Sequence, residues 1–351
     1  MANTIEEVRT TAKERDYKAN DSSYLLEVRN LKKYFSVNEG LLFGTKGYVK
    51  AVDGVTFGIQ RGTTMGLVGE SGCGKTTVGK TILRLNDKTD GDVIFDGISI
   101  FDLKKKSLRS IRPRIQIIFQ DPYSSLSPRL PVGEIIGEAV RDNNLVPKDE
   151  FDDYITKIMI DCGLQPYHKD RYPHEFSGGQ RQRICIARAI ALKPDFIVCD
   201  EPVSALDVSI QAQIINLLKD LQDKYHLTYL FISHDLSVVE HISNTIGVMY
   251  LGSLVEYADK GAIFANPLHP YTQALFSAIP IPDPDVKMNR IILEGNIPSP
   301  ANPPSGCKFH TRCNSRMEIC KTIAPKEIEV EKGHKVVCHL YDKDLNKAKA
   351  N

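Results

Sequence analysis

The sequence predicts an α/β fold, a sheet with helices on its faces, and three observations predict it. Short apolar runs at 65–68, 196–199 and 228–232 alternate with stretches of helical periodicity, such as the stripe Ile210, Ile214, Leu217, Leu218 and Leu221. The run at 196–199 is continuously apolar, the pattern of a strand buried on both faces of a parallel sheet. Between the run at 65–68 and the next helical stretch, Gly69-Glu70-Ser71-Gly72-Cys73-Gly74-Lys75-Thr76 fits the pattern G-x-x-x-x-G-K-[ST] without a mismatch.

Each element has its own signal. Residues 1–22 are polar, mixed in charge and without the apolar core of a signal peptide, which predicts a mobile leader. Early strands are expected at 26–28 and 49–57, joined through a Gly-containing connection at 38–47. Val78, Ile82 and Leu85 space out a helix over 77–85. Gly91 and Asp96-Gly97 mark turns around a hairpin at 92–100, and 114–119 is a short buried strand. Periodicity over 132–140 and 151–162 makes 121–176 a helical insertion. From Asn266 onward proline becomes frequent, and the rest looks like a linker-like tail. No internal repeat is visible.

The bulk numbers narrow the function classes. A chain of 351 residues suffices for one large or two ordinary domains, and 42% hydrophobic with 25% charged residues is ordinary for a soluble globular protein. A formal net charge of +1 gives no support to nucleic acid as the main partner. No run approaches the length needed to span a bilayer, so any membrane contact is expected through a partner.

The chemistry starts at the glycine-rich loop. Its glycines let consecutive N–H groups face phosphate oxygens; Lys75 adds charge for the β- and γ-phosphates, and the Thr76 hydroxyl can ligate Mg²⁺. Phosphate then sits at the N-terminus of a helix that begins near Thr77. A nucleotide hydrolase also needs a second acidic magnesium ligand and a group that orients water. Asp200, at the end of an apolar strand, suits the first role and Glu201 the second, because carboxylates past strand ends project into the ligand crevice of an open α/β sheet. Ser177-Gly178-Gly179-Gln180 opens another helix and makes a second anion-binding start. Two such starts in one chain make sense if two subunits sandwich each nucleotide.

In these residues the sequence resembles an ATP-binding cassette (ABC) transporter ATPase subunit, a P-loop NTPase with early antiparallel strands and a helical subdomain. Gly69, Ser71, Gly72, Cys73, Gly74, Lys75, Thr76 and Thr77 fall on its Walker A loop, and Ser177, Gly178, Gly179 and Gln180 on its signature. Residues 196–201 resemble Walker B with its catalytic Glu201, 204–207 the D-loop, Gln120 the Q-loop, His234 the switch histidine, and Tyr34 the aromatic that stacks on adenine. The motifs cover about 24–260 in family order. The resemblance implies a head-to-tail dimer with each ATP between Walker A of one subunit and the signature of the other. Asp200, Thr76 and Gln120 would hold Mg²⁺, Glu201 would polarise water, His234 would contact the γ-phosphate, and Gln120 would relay nucleotide state to a membrane subunit.

The segment 266–275 (N-P-L-H-P-Y-T-Q-A-L), with 171–175 and 121–129, is similar to oligopeptide and dipeptide permease ATPases, and Gln180 leans toward the F-type partner of an unlike pair. The implied organisation is a leader at 1–22, an ATPase domain at 23–265 with a helical subdomain at about 121–180, and a C-terminal extension at 266–351. The implied partners are a second, unlike ABC ATPase, two transmembrane permease subunits and, indirectly, an extracellular or periplasmic peptide-binding protein. The chain would work as a peripheral protein on the cytoplasmic face of the cell membrane. Related nickel or other solute importers, a soluble cassette ATPase, and an iron–sulfur electron carrier with a nucleotide switch are the alternatives.

Four of the eight cysteines lie in the tail: Cys307, Cys313, Cys320 and Cys338, separated by five, six and seventeen residues. No close pair of the structural-zinc kind occurs, and the looser spacing suits a 4Fe–4S cluster. The resemblance implies such a cluster on these four. Zinc and free thiols are the alternatives, with His310, His334 and His339 nearby as substitute ligands.

Overall fold

The computed structural model of the protein describes residues 24–38, 46–279 and 290–343. The expected leader at 1–22 and the middle of the 38–47 connection lie outside the described residues. The elements, in chain order, are β1 (Tyr24–Asn38), β2 (Lys46–Gln60), β3 (Thr64–Val68), α1 (Lys75–Ile82), β4 (Asp90–Phe95), β5 (Ile98–Ser99), α2 (Lys105–Ile111), β6 (Ile115–Ile118), α3 (Val132–Asp142), α4 (Phe151–Asp161), α5 (Gly178–Ile190), β7 (Phe196–Asp200), α6 (Val208–Tyr225), β8 (Thr228–Ile232), α7 (Leu236–Ile242), β9 (Thr245–Tyr250), β10 (Ser253–Asp259), α8 (Lys260–Ala265), α9 (Pro270–Phe276), β11 (Glu327–Glu331) and β12 (His334–Val337).

The chain divides into two compact units. The first holds the described residues 24–27, 58–64 and 94–233. Its centre is a parallel set, β6 against β7 and β7 against β8, in register from Ile115↔Phe196 to Ile118↔Cys199 and from Phe196↔Thr228 to Asp200↔Ile232. All five residues of β7 and of β8 are buried, which explains their unbroken apolar runs. Helices α5 and α6 turn Ile184, Ala187, Ile214 and Leu218 inward, each wholly buried. Helices α3 and α4 form the expected helical insertion and pack on α5 and on each other. A short antiparallel hairpin pairs Ile94 with Ser99 and Phe95 with Ile98 around Asp96-Gly97, the turn that the sequence signals.

The second unit holds residues 28–38, 46–57, 65–93, 234–279 and 290–343. Its β3 runs parallel to β9, β9 pairs antiparallel with β10, β10 with β12, and β12 with β11. Strand β1 lies between β2 and β4 in a separate sheet. Here the structure corrects the linker-like tail: residues 270–276 are helical and 327–337 form a hairpin that extends the sheet through β10. Pro270 occupies the first turn of α9, where a missing N–H costs nothing, so this proline starts a helix instead of breaking one. The buried Glu256 carboxylate holds the join, accepting the N–H groups of Leu268 and His269 (both 2.8 Å) and contacting His334 Nε2 at 2.8 Å. The first helix ends at Ile82, short of the expected 85, because Arg84 takes a positive φ of 49°.

Candidate functional site

The phosphate-loop sequence sits in the second unit between β3, buried throughout, and α1, which begins at Lys75. Gly69 (φ 148°) and Gly74 (φ 108°) occupy backbone conformations that side chains avoid. Space forbids side chains as well: a Cβ on Gly69 would lie 2.3 Å from Met249 O, and one on Gly74 2.1 Å from Ala51 O. Gly72 and Ser71 face outward and are exposed, while Cys73 is buried against the loop. Lys75, 5% exposed, folds its ammonium back to donate to Gly69 O (2.7 Å) and Glu70 O (3.1 Å). The charge is therefore fixed inside the curve of the loop. Thr76 and Thr77 follow on the first turn of α1.

The same unit carries Tyr34 and His234. The Tyr34 hydroxyl donates to Asp53 Oδ1 at 2.5 Å, and burial followed by this bond raises its pKa well above that of a free phenol. Lys308, from the tail, holds Asp53 Oδ2 at 2.8 Å, Ser253 Oγ at 2.7 Å and Leu251 O at 3.1 Å. The ring of Tyr34 is thus set from behind by its own hydroxyl. His234 is exposed one residue before Asp235, whose carboxylate caps α7 by accepting the N–H groups of Ser237 (2.9 Å) and Val238 (3.3 Å).

The first unit carries the expected carboxylates and the signature. Because β6 and β7 are parallel and in register, Gln120 and Glu201 leave the same end of the pair. Gln120 Nε2 donates to Glu201 Oε2 at 2.9 Å, and the Ser204 hydroxyl donates to Glu201 O at 3.1 Å. Glu201 itself has φ 47°, in the left-handed region, and its N–H is fixed to Ile232 O at 2.9 Å. Asp200, one residue earlier, ends β7 and is 4% exposed. The structure thus brings Gln120 and Glu201 together directly.

Ser177 caps α5 as a reciprocal box: its Oγ accepts from Gln180 N (3.3 Å) and Gln180 Oε1 accepts from Ser177 N (3.0 Å). A Cβ on Gly179 would meet Ile210 Cγ2 at 2.6 Å, so glycine allows α6 to approach. Ser177 and Gly178 remain exposed. Lys75 and Thr76 belong to one unit, and Gln120, Ser177, Asp200 and Glu201 to the other.

In the tail, burial pushes the thiol of Cys307 up to about 11 and that of Cys338 up to about 12; the remaining tail cysteines add to the rise at Cys338. Met317 N–H points at Cys320 Sγ, 3.5 Å away. The expected metal site finds no support: among the described residues no three His, Cys, Asp or Glu side chains are grouped to hold a metal ion. The nearby histidines have other partners. His334 bonds Glu256, His339 Nε2 contacts Ile323 O at 2.9 Å, and His310 Nδ1 contacts Cys307 O at 2.8 Å.

Sequence reasoning missed Glu70, Arg312 and Tyr271. Arg312 forms a two-pronged ion pair with Glu70, Nη1 to Oε2 at 2.7 Å and Nη2 to Oε1 at 2.9 Å, and the Tyr271 hydroxyl accepts the Glu70 N–H at 2.9 Å. No spacing rule links residues 242 positions apart, and the cysteines around Arg312 drew the pattern instead.

Comparison with known proteins shows the family. The ABC transporter family profile matches residues 52–204, and the profile of the oligopeptide/dipeptide transporter C-terminal region matches 255–320. The chain is 53% identical over 320 residues to the oligopeptide transport ATP-binding protein AppF of Bacillus subtilis (strain 168), covering 90% of this chain and 97% of that protein. It is 52% identical to the putative peptide import ATP-binding protein BAB2_0818 of Brucella abortus (strain 2308), covering 90% and 97%. Among solved structures it resembles cbiO1 from Clostridium perfringens, part of the ABC transporter complex cbiONQ, with TM-score 0.60 and 26% identity, covering 70% of this chain and 92% of that one. It also resembles the dimeric bacterial ABC transporter cassette MJ0796, with TM-score 0.60 and 27% identity, covering 67% and 98%.

Proposed function

Because the chain belongs to the ABC transporter ATPases that carry the oligopeptide/dipeptide transporter C-terminal region, we propose that it hydrolyses ATP to drive uptake of short peptides through a membrane permease. The observation that carries the chemistry is the Gln120–Glu201 hydrogen bond at the shared end of two parallel strands. An amide that fixes a carboxylate in place prepares it to orient an attacking water. Lys75 and the loop N–H groups take the phosphates; Thr76 and Asp200 take Mg²⁺, with Gln120; and Glu201 polarises the attacking water. His234 meets the γ-phosphate, Tyr34 stacks on adenine, and Ser177, Gly178, Gly179 and Gln180 face the nucleotide of a second, unlike ATPase subunit.

On this reading residues 23–265 are the ATPase domain, with a helical subdomain at about 121–180, and 266–351 an extension. The chain docks on two permease subunits at the cytoplasmic face of the membrane, served from outside by a peptide-binding protein. Among the described residues no helix is long and apolar enough to cross a membrane, which fits attachment through partners. The finer proposal for the tail is a 4Fe–4S cluster on Cys307, Cys313, Cys320 and Cys338. The thiols of Cys307, Cys313 and Cys320 add to the rise at Cys338, a crowding that a cationic centre would relieve, and the Met317 N–H aimed at Cys320 Sγ is the kind of bond that supports a ligating sulfur. The cluster would supply a cross-link for the tail.

The test is co-purification of the full chain with its permease, followed by ATP hydrolysis with and without peptide-loaded binding protein. Stimulation by loaded binding protein is expected, and Glu201→Gln should cut turnover by about a hundredfold or more while ATP binding persists. Unchanged turnover in that variant would remove Glu201 from its role.

A further inference from the structure

Within the second unit every polar group of Glu70, the first variable residue of the phosphate loop, is held. Its N–H goes to the Tyr271 hydroxyl, its carbonyl to Lys75 and its carboxylate to both arms of Arg312. Arg312 is 7% exposed, and Glu70 is the one carboxylate in the loop sequence. Arg312 and Phe309 come from the cysteine-bearing segment of the tail. Phe309, 1% exposed, packs edge-on to Tyr250 at 5.2 Å and against Tyr271 at 5.4 Å, so the guanidinium cannot drift from the loop. A bare carboxylate here would oppose a polyphosphate; a paired one leaves the loop's field to Lys75 and the backbone N–H groups.

We propose that Arg312 is a positioning residue for nucleotide binding: its ion pair neutralises Glu70 beside the phosphate loop, so that the cysteine-bearing tail sets the protein's affinity for nucleotide. The proposal rests on the reading of this loop as an ATP site. Its chemical consequence is a sign. Removing Arg312 leaves a carboxylate near the phosphates, whereas removing the Glu70 charge leaves a guanidinium there.

The experiment is titration of the full-length protein with a fluorescent ATP analogue and its AMP counterpart. Arg312→Met should weaken ATP binding about tenfold, within the roughly 5- to 150-fold span of ordinary coupling between sites, and should weaken AMP binding much less. Glu70→Gln should leave ATP binding unchanged or tighter. The double variant Glu70→Gln/Arg312→Met should return the affinity to within about threefold of wild type. A purely structural pair would give the opposite result: both single variants weaken ATP and AMP alike, and the double variant is no better. That outcome, or an unchanged Kd for Arg312→Met, overturns the proposal. If Arg312→Met does not fold, Glu70→Gln alone decides, since weaker ATP binding in that variant contradicts the predicted sign. Failure of the wild-type protein to bind ATP would sink the ATP reading instead, and is seen separately.

Discussion

Acid should weaken the second unit through His269. This imidazole is 1% exposed and caps α9, with Nδ1 accepting the Tyr271 N–H at 3.0 Å. The neutral ring is required: a proton on Nδ1 would set a donor against a donor. Burial pushes the pKa of His269 down to about 3 from an ordinary 6.5. The unfolded chain therefore takes up the proton first as pH falls, and the stability contributed by the neutral ring is complete above 6.5 and lost progressively below it. Each unit of pH in that window is worth about 1.4 kcal/mol, so the step from 6.5 to 5 should cost about 2 kcal/mol. The comparison variant is His269→Asn, which can still cap the helix but does not titrate in this range. Urea unfolding at pH 7, 6 and 5, read by fluorescence of the tyrosine cluster around Tyr271, measures both proteins. The wild type should lose about 2 kcal/mol more than the variant between pH 7 and 5. Parallel profiles for the two proteins would refute the reasoning.

Gly74→Ala should abolish ATP binding, because the new Cβ meets Ala51 O at 2.1 Å and φ stands at 108°, a conformation that costs alanine on the order of 1 kcal/mol or more before any clash; nucleotide titration with a melting curve checks it, and wild-type affinity would contradict the described loop. Anaerobically purified protein should be brown with about four irons per chain if the cluster proposal holds. Replacing any one of Cys307, Cys313, Cys320 or Cys338 by serine should bleach it, while a colourless wild type with one zinc would count for zinc.

What the sequence made legible follows the physics of each segment. Strand β8 was readable to the residue because both faces are buried and its apolar run is unbroken. Strand β9 carries an apolar run at 246–250 broken only by Gly247, as legible as the one at 65–68, yet it was not expected; β10 carries the buried Glu256, so it displays neither an apolar run nor clean alternation. In the tail hairpin, β11 is mostly exposed and its composition looks like a solvated loop. The site divides along the same line. Lys75, Asp200 and Glu201 stand in short motifs whose pattern carries their chemistry, and Gln120 is reached through the family resemblance. Arg312 acts on Glu70 through tertiary packing alone, with Phe309 and Tyr271 as its mould, and nothing local announces it.

The left-handed φ of Glu201 has a consequence for how this position is inherited. A glycine there would relieve roughly 1 kcal/mol of backbone strain and so give a steadier but silent subunit. Drift toward stability therefore runs downhill into inactivity at the residue proposed to do the chemistry. Selection for activity must hold the carboxylate there against that gain, so position 201 gives up a little stability for its chemistry.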